Sequence, residues 1–271
     1  VVVSVDIETL KEKVLARGRQ LAWGQANSDL VPIYGPHWAP GAHRDLELLN
    51  VETGQIRTVV TAAGVTAAYS EWIEKEFPDK PISIFFPILS PDLKRVIFKI
   101  ATPAGGDFRS TRASIRKLLI AYDLEKPGFL FIHKDWGHPA WHPDSRTLIN
   151  VPNILVGADS GEARKIPDLP EFPGSHPSIS PRGDLFASDT RLGPFGGAKG
   201  EWGVVVADLH GTHHKILHRF DNTRGAASWR VSHPHPVFSP DGKRVYYNVN
   251  NTRWTQLYVA EPERGSPGTT K

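Results

Sequence analysis

The segment His235-Pro236-Val237-Phe238-Ser239-Pro240-Asp241-Gly242 combines a short apolar strand with a tight turn. In such a turn proline sets φ at the second position, aspartate hydrogen-bonds its own backbone, and glycine takes the left-handed conformation. Related segments occur three more times, at Phe86–Asp92, His138–Asp144 and His176–Gly183. The motif therefore repeats along the chain, and each copy predicts a strand, a turn and a second strand.

A second repeated element is an apolar strand that ends in an acidic or amide turn. It occurs at Val5–Thr9, Leu49–Gly54, Tyr122–Lys126, Gly157–Gly161, Ala207–Gly211 and Ala260–Glu263. The two elements alternate at intervals of about 35–60 residues, which is the period of a four-stranded propeller blade. We predict an all-β protein, a β-propeller of four-stranded blades with at least six blades, forming a single domain over residues 1–271. A β-sandwich with coincidental turns is the alternative fold.

Composition excludes several functional classes. The 271 residues include 32 Lys and Arg against 29 Asp and Glu, a net charge of +3 that is spread along the chain, so we expect no nucleic-acid partner. No apolar run is long enough to span a membrane, and we expect no membrane partner. The absence of cysteine excludes a thiolate nucleophile and a Cys-ligated metal. The absence of methionine predicts that N-terminal or loop residues are missing from this sequence.

Histidines occupy an equivalent position in three successive repeats. His138, His176 and His235 each stand two residues before the first apolar strand residue, and His233 adds a fourth imidazole. The innermost strands of a propeller line its central channel, so we expect these four rings to converge at one channel mouth. Two residues apart on an extended strand, His233 and His235 would point to the same side. Three imidazole ligands that leave one coordination position of the metal open are typical of a catalytic metal site.

The alternative is structural. A His-Pro dipeptide can simply open a strand, with the imidazole capping the preceding turn. Other catalytic signatures are absent: the sequence contains no Gly-x-Ser-x-Gly elbow, no Walker loop, no dinucleotide fingerprint and no His-Glu-x-x-His. The histidine repeat is therefore the main candidate for a functional site.

The region Val206–Tyr247 resembles the C-terminal part of the oligogalacturonate lyases, which are seven-bladed propeller enzymes. The resemblance is strongest at Ser228–Asp241, which reads Ser-Trp-Arg-Val-Ser-His-Pro-His-Pro-Val-Phe-Ser-Pro-Asp. Further matches follow the same order, at Val5–Glu12, Ala26–Asp29, Arg116–Ile120, His138 and Ser175-His176. The resemblance covers most of the chain, strongly only near its end, and it implies seven blades.

The resemblance also implies a set of site residues. In that family three histidines and one glutamine hold a divalent metal, usually manganese, and His176, His233 and His235 match the three histidines; zinc or another ion is the alternative. Arg230 stands at the glutamine position and cannot ligate a metal. A water or another side chain then fills the fourth position, or Arg230 binds the substrate carboxylate.

Two further residues match the family's catalytic pair. His138 corresponds to the proton-abstracting base of that family, and Arg116 corresponds to a nearby catalytic arginine. Without the resemblance, the alternative for Arg116 is a structural residue that forms a salt bridge at the start of a strand. We also predict that Trp229, next to the histidines, contacts the substrate, whereas Trp136 and Trp141 are expected to pack in the core.

The predicted function is an oligosaccharide lyase that cleaves short, uronate-containing pectic substrates by metal-assisted β-elimination. Removing the weakly acidic proton beside a carboxylate requires neutralisation of that carboxylate's charge, which a metal and an arginine supply. A neutral histidine supplies the base. A non-catalytic TolB-like propeller that binds a protein partner is the alternative, and a propeller detached from a larger hydrolase ranks last. We expect a cytoplasmic location, with a periplasmic one as the alternative.

Overall fold

The structure is a computed structural model that describes residues 1–22, 28–39, 41, 43–106, 113–134, 137–174, 176–222, 233–250 and 254–261. These residues form six small antiparallel sheets with two short α-helices and one 3-10 turn, so the prediction of an all-β protein is confirmed. Neither α-helix among the described residues has the length and apolar character needed to cross a membrane. The prediction of seven blades stays a prediction.

The chain divides into two compact units. Unit 1 comprises Val1–Trp136 and Gly157–Glu162, and unit 2 comprises Gly137–Val156 and Ala163–Lys271. The single-domain prediction is not tested by this division.

Unit 1 contains three sheets of two, four and four strands, each with its strands paired in chain order. Its elements are β1 (Val2–Val5), β2 (Glu12–Ala16), β3 (Gln20–Leu21), β4 (Leu30–Tyr34), β5 (Leu46–Asn50), β6 (Ile56–Val60), α1 (Ala62–Ala68), α2 (Ser70–Glu76), β7 (Ser83–Leu89), β8 (Arg95–Pro103), β9 (Ser114–Asp123) and β10 (Gly128–His133). Buried residues of α1, α2, β5, β7, β8 and β9 form its main core. Strand β7 is buried along its whole length, which explains its continuous apolar sequence.

Unit 2 contains sheets of four, four and three strands, again paired in chain order. Its elements are β11 (Ala140–Trp141), β12 (Thr147–Asn150), β13 (Ile154–Gly157), β14 (Ala163–Lys165), β15 (Ser178–Ile179), β16 (Leu185–Arg191), the 3-10 turn η1 (Gly193–Phe195), β17 (Glu201–Asp208), β18 (His214–Asp221), β19 (Val237–Phe238), β20 (Val245–Val249) and β21 (Gln256–Ala260). Sheets built from consecutive antiparallel strands are typical of propeller blades.

The predicted turns have the hydrogen bonds that their sequences require. Asn50 Oδ1 accepts from the backbone N–H groups of Glu52 and Thr53 after β5, at 3.1 and 2.8 Å. In the second motif Ser239 Oγ donates to Asp241 Oδ1 at 2.5 Å and accepts from the backbone N–H of Arg244 at 3.0 Å. These side chains close the turns and so fix the strand pairing on either side.

Candidate metal centre

The first strands of the three unit 2 sheets position four histidines. Each of β11, β15 and β19 is only two residues long, and β15 contacts both β11 and β19. His138, His176 and His235 each precede their strand by two residues, so neighbouring strands bring their rings together. The blade repeat thereby assembles side chains that are far apart in sequence.

Distances between ring centroids describe the cluster. The His176 ring lies 3.7 Å from His235, 5.0 Å from His233 and 4.8 Å from His138. His233 and His235 are 6.1 Å apart and nearly parallel. His176 is therefore the central ring, with the other three around it. The sequence prediction that these four imidazoles converge agrees with their placement.

Asp189, in the middle of β16, orients the central ring. Its Oδ2 lies 2.6 Å from His176 Nδ1, and its Oδ1 accepts the backbone N–H of His176 at 3.2 Å. Asp189 has no solvent exposure, so its carboxylate is held in one position. When the Asp189 carboxylate is ionised it only accepts hydrogen bonds, so Nδ1 then carries the proton and the lone pair that a metal needs is on Nε2.

Glycine at position 174 permits this arrangement. A Cβ at Gly174 would lie 1.5 Å from the backbone oxygen of Asp189, so any larger residue would displace the strand that carries the carboxylate. The backbone N–H of Gly174 donates to Phe172 O at 2.7 Å, which fixes the chain just before His176. The close approach of the two backbones thus holds Asp189 and His176 together.

The histidine donors fit a divalent metal. One nitrogen from each of His176, His233 and His235 lies within 4.8 Å of the other two. Two donors bound to one ion through bonds of about 2.1 Å are at most about 4.2 Å apart, so the rings would have to rotate and bring the three nitrogens closer to hold one ion. His176 is buried, His233 half-buried and His235 exposed, which leaves one side of the group facing solvent. Three protein ligands with an open side are typical of a catalytic metal site.

The backbone at His233 and His235 differs from the sequence prediction. We expected an extended strand to point both rings to one side, but both residues precede β19, and His235 has a φ of 45°. A positive φ is uncommon for a non-glycine residue, so the extended-strand argument was wrong. The backbone N–H of Asn248 on β20 donates to Pro234 O at 2.8 Å and anchors the segment between the two histidines.

Sequence reasoning missed Trp202, which stacks on the cluster. Its ring lies 5.0 Å from the His233 ring at an interplanar angle of 27°, and it is 8% exposed. Trp229, which we predicted to contact the substrate, lies outside the described residues, as do Arg230 and Trp136. Trp141 is buried in β11, as expected for a packing residue.

Arg116 belongs to unit 1, whereas the four histidines belong to unit 2. It lies on β9, donates Nε–H to Ser114 Oγ at 3.0 Å, and places its guanidinium carbon 5.3 Å from the centre of the Phe85 ring. Lys99 Nζ lies 5.9 Å from the same ring and 4.4 Å from the Phe86 ring. Two basic side chains therefore approach the aromatic pair Phe85 and Phe86.

Burial in this cluster changes the ionisation of three groups. Burial, and then the charge of Arg116, hold the pKa of Lys99 well below its ordinary value. The same two causes lower the pKa of His37 to about 3. Burial raises the pKa of Tyr34 to about 12, although Arg116 opposes the change. Neither His37 nor Lys99 belongs to a repeated motif of the sequence.

His37 makes unit 1 sensitive to acid. It is 4% exposed, its ring lies 4.3 Å from Phe85, and neither ring nitrogen has a hydrogen-bond partner among the described residues. The folded-state pKa is depressed, so below pH 6.5 the unfolded chain takes up a proton that the folded chain does not, and stability is lost as pH falls toward about 3. At pH 5 this loss is about 2 kcal/mol.

Replacing His37 by phenylalanine should remove that loss. The aromatic ring is retained between Phe85 and Trp38, and the titrating nitrogen is gone. Between pH 7.5 and pH 5, the free energy of unfolding of His37→Phe should fall by about 2 kcal/mol less than that of the wild type, as measured by urea denaturation. The exposed His210→Phe is the control and should follow the wild type. Equal pH dependence in His37→Phe and the wild type would contradict the prediction.

His142 has a structural role in a turn. Its Nδ1 accepts the backbone N–H of Asp144 at 3.1 Å, and its Nε2 lies 3.0 Å from Gly183 O. His213 is exposed beside the turn after β17, where its Nδ1 lies 3.3 Å from Asp208 Oδ2. Neither ring joins the histidine cluster among the described residues. His142 and His213 therefore contact turns, whereas the four histidines of the cluster contact one another.

Comparison with solved structures gives the fold. The chain is similar to TolB from Acinetobacter baumannii, with 15% sequence identity and a TM-score of 0.57. The match includes 95% of the present chain and 56% of the TolB chain. It is also similar to an oligogalacturonate lyase in complex with manganese, with 16% identity and a TM-score of 0.54. An oligogalacturonate lyase from Vibrio parahaemolyticus has 14% identity and a TM-score of 0.51. The present chain covers 82% and 83% of these two chains, and 96% of its own length is matched in each case.

The chain therefore has a β-propeller fold and spans little more than half of the TolB chain that it matches. No protein-family profile matches the sequence, and no characterised protein matches it in a sequence comparison. At such low identities the likeness extends to lyases and TolB proteins alike, so it does not distinguish between their functions.

Proposed function

We propose that this protein is a metal-dependent lyase that cleaves short, uronate-containing oligosaccharides by β-elimination. One observation carries the proposal: three histidine nitrogens lie within 4.8 Å of one another, and a buried carboxylate orients the central ring. A fourth imidazole, His138, lies 4.8 Å from that ring. A protein that only binds a partner has no need for an oriented imidazole group with one side open to solvent.

His176, His233 and His235 would hold the metal. When bound, a divalent cation supplies positive charge that neutralises the uronate carboxylate and so acidifies the neighbouring C–H. Imidazole nitrogen suits several first-row metals. One structural neighbour is a complex with manganese, which makes manganese the first metal to test and zinc the second.

His138 would act as the base. In the elimination its imidazole takes the proton from C5 of the uronate, the C5 electron pair forms the C4–C5 double bond, and the C4–O bond breaks. The leaving oxygen takes up a proton from solvent, and His138 later releases the C5 proton to solvent, so no water is added overall and the masses of the two products sum to that of the substrate. His138 is half-buried beside the proposed metal ligands, which limits competition from water and retains access for a substrate.

Arg116 is proposed to add a second positive charge opposite the substrate carboxylate. Support for this role comes from the sequence resemblance; in unit 1, burial and then the charge of Arg116 lower the pKa values of Lys99 and His37. A guanidinium can pair with a carboxylate through two parallel hydrogen bonds.

Product mass spectrometry tests the reaction. The protein is incubated with digalacturonate and related uronate oligosaccharides, with manganese or with a chelator. We expect manganese-dependent fragments whose masses sum to that of the substrate and which carry the ultraviolet absorbance of the new double bond. Fragments that contain one added water would show hydrolysis and exclude the lyase reaction.

The same experiment addresses the competing function. The competing proposal, which the likeness to TolB proteins leaves equally open, is a propeller that binds a protein partner and performs no catalysis. A protein that binds neither manganese nor any of the oligosaccharides would support that alternative.

A further inference from the structure

The register of β16 and β17 places three side chains on one face of their sheet. Asp189 and Arg191 are two residues apart on β16, so they point to the same side. Trp202 on β17 is paired directly with Arg191 and shares that side. The guanidinium carbon of Arg191 lies 5.6 Å from the centre of the Trp202 ring.

This face is the one that carries the histidine cluster. Asp189 hydrogen-bonds His176, and Trp202 stacks on His233, so both neighbours of Arg191 on this face contact a proposed metal ligand. Arg191 ends the strand and is exposed to solvent. The geometry therefore places a solvent-facing cation one aromatic ring away from His233.

Among the described residues, Arg191 forms no ion pair with an acidic side chain. Three other arginines of unit 2 have such partners, in the pairs Arg182–Asp184, Arg219–Glu201 and Arg244–Glu261. The contact of Arg191 is with an aromatic face, which orients the guanidinium plane and leaves its N–H donors able to bind an anion.

We propose that Arg191, supported by Trp202, binds a carboxylate of the ligand beside the histidine cluster and so selects acidic over neutral ligands. This inference rests on the proposed function for the ligand class, a uronate. A planar guanidinium matches the two oxygens of a carboxylate, and a lysine at this position would offer only a point charge without the aromatic stacking geometry. Trp202 is a positioning residue, because it is buried and contacts both Arg191 and His233.

Calorimetric binding of two matched ligands tests this role. The probes are digalacturonate and its uncharged methyl ester, each titrated into the manganese-loaded protein. We expect Arg191→Gln to weaken digalacturonate binding at least about tenfold and to leave binding of the ester and of manganese unchanged. Arg191→Lys should recover part of the affinity. Arg164→Gln, which removes an exposed arginine on β14, is the control and should bind both ligands as the wild type does.

The outcomes separate this inference from the proposed reaction. A protein that binds digalacturonate through Arg191 but does not cleave it would retain the inference and refute the lyase. Equal loss of affinity for digalacturonate and the ester, or a loss in Arg191→Gln no larger than in Arg164→Gln, would overturn the inference. Failure of the wild type to bind digalacturonate while it binds manganese would overturn both the inference and the uronate specificity.

Discussion

The His138→Gln variant is expected to bind manganese like the wild type and to cleave digalacturonate about 10²–10⁴ times more slowly. The reason is geometric: the three-donor group consists of His176, His233 and His235, and His138 lies beside it with its ring centroid 4.8 Å from that of His176. Removing the base should slow proton transfer from C5 while the proposed metal ligands remain in place. Glutamine retains the polar character and approximate size of the side chain, so the loop before β11 should fold normally.

Two comparisons make this result specific. His233→Gln should lose both manganese binding and activity, because it removes a proposed ligand. His210→Gln changes an exposed histidine of the same unit and should affect neither. If His138→Gln lost manganese together with activity, His138 would be a ligand, and if it kept full turnover, another group would be the base.

The sequence predicted the elements that local chemistry controls. Serine, proline, aspartate and glycine at fixed spacing are sufficient to specify the turn after Phe238, because the hydrogen bonds of that turn lie within six residues. The histidine cluster was also predictable, since the repeat places His138, His176 and His235 at the same distance from successive inner strands. A local pattern and one rule of propeller geometry thus led to a site that joins distant parts of the chain.

Contacts that depend on strand register could not be predicted in the same way. Arg191 faces Trp202 because β16 pairs with β17 across the loop that contains η1, and no local motif specifies that register. Two signals were nevertheless present: Asp189 interrupts a strand that is otherwise suited to burial, and Lys99 interrupts the apolar run of β8. A charged residue at a buried strand position usually has a partner or a function, so Asp189 and Lys99 could have been predicted as functional or paired residues from the sequence.

Replacing Asp189 by asparagine should weaken manganese binding about 10–100-fold. The substitution keeps the size of the side chain but removes the negative charge that orients the His176 ring, whose Nδ1 lies 2.6 Å from Oδ2. An amide presents both a donor and an acceptor, so it can also stabilise the opposite ring tautomer, in which Nε2 carries the proton and cannot ligate a metal. The expected result is weaker metal binding with the His176 ring still present.

A purely structural role for Asp189 would give a different outcome. Its carboxylate also accepts the backbone N–H of His176, so Asp189→Asn is expected to lose about 1–3 kcal/mol of stability as well. Manganese affinity is therefore measured by titration at a temperature where both proteins are folded, with Asp208→Asn, at the turn after β17, as the control for loss of one charge. Lower stability with unchanged manganese affinity would mean that Asp189 only holds the chain in place. If folded Asp189→Asn binds manganese more weakly and Asp208→Asn does not, the Asp189 carboxylate acts on the metal through the His176 ring.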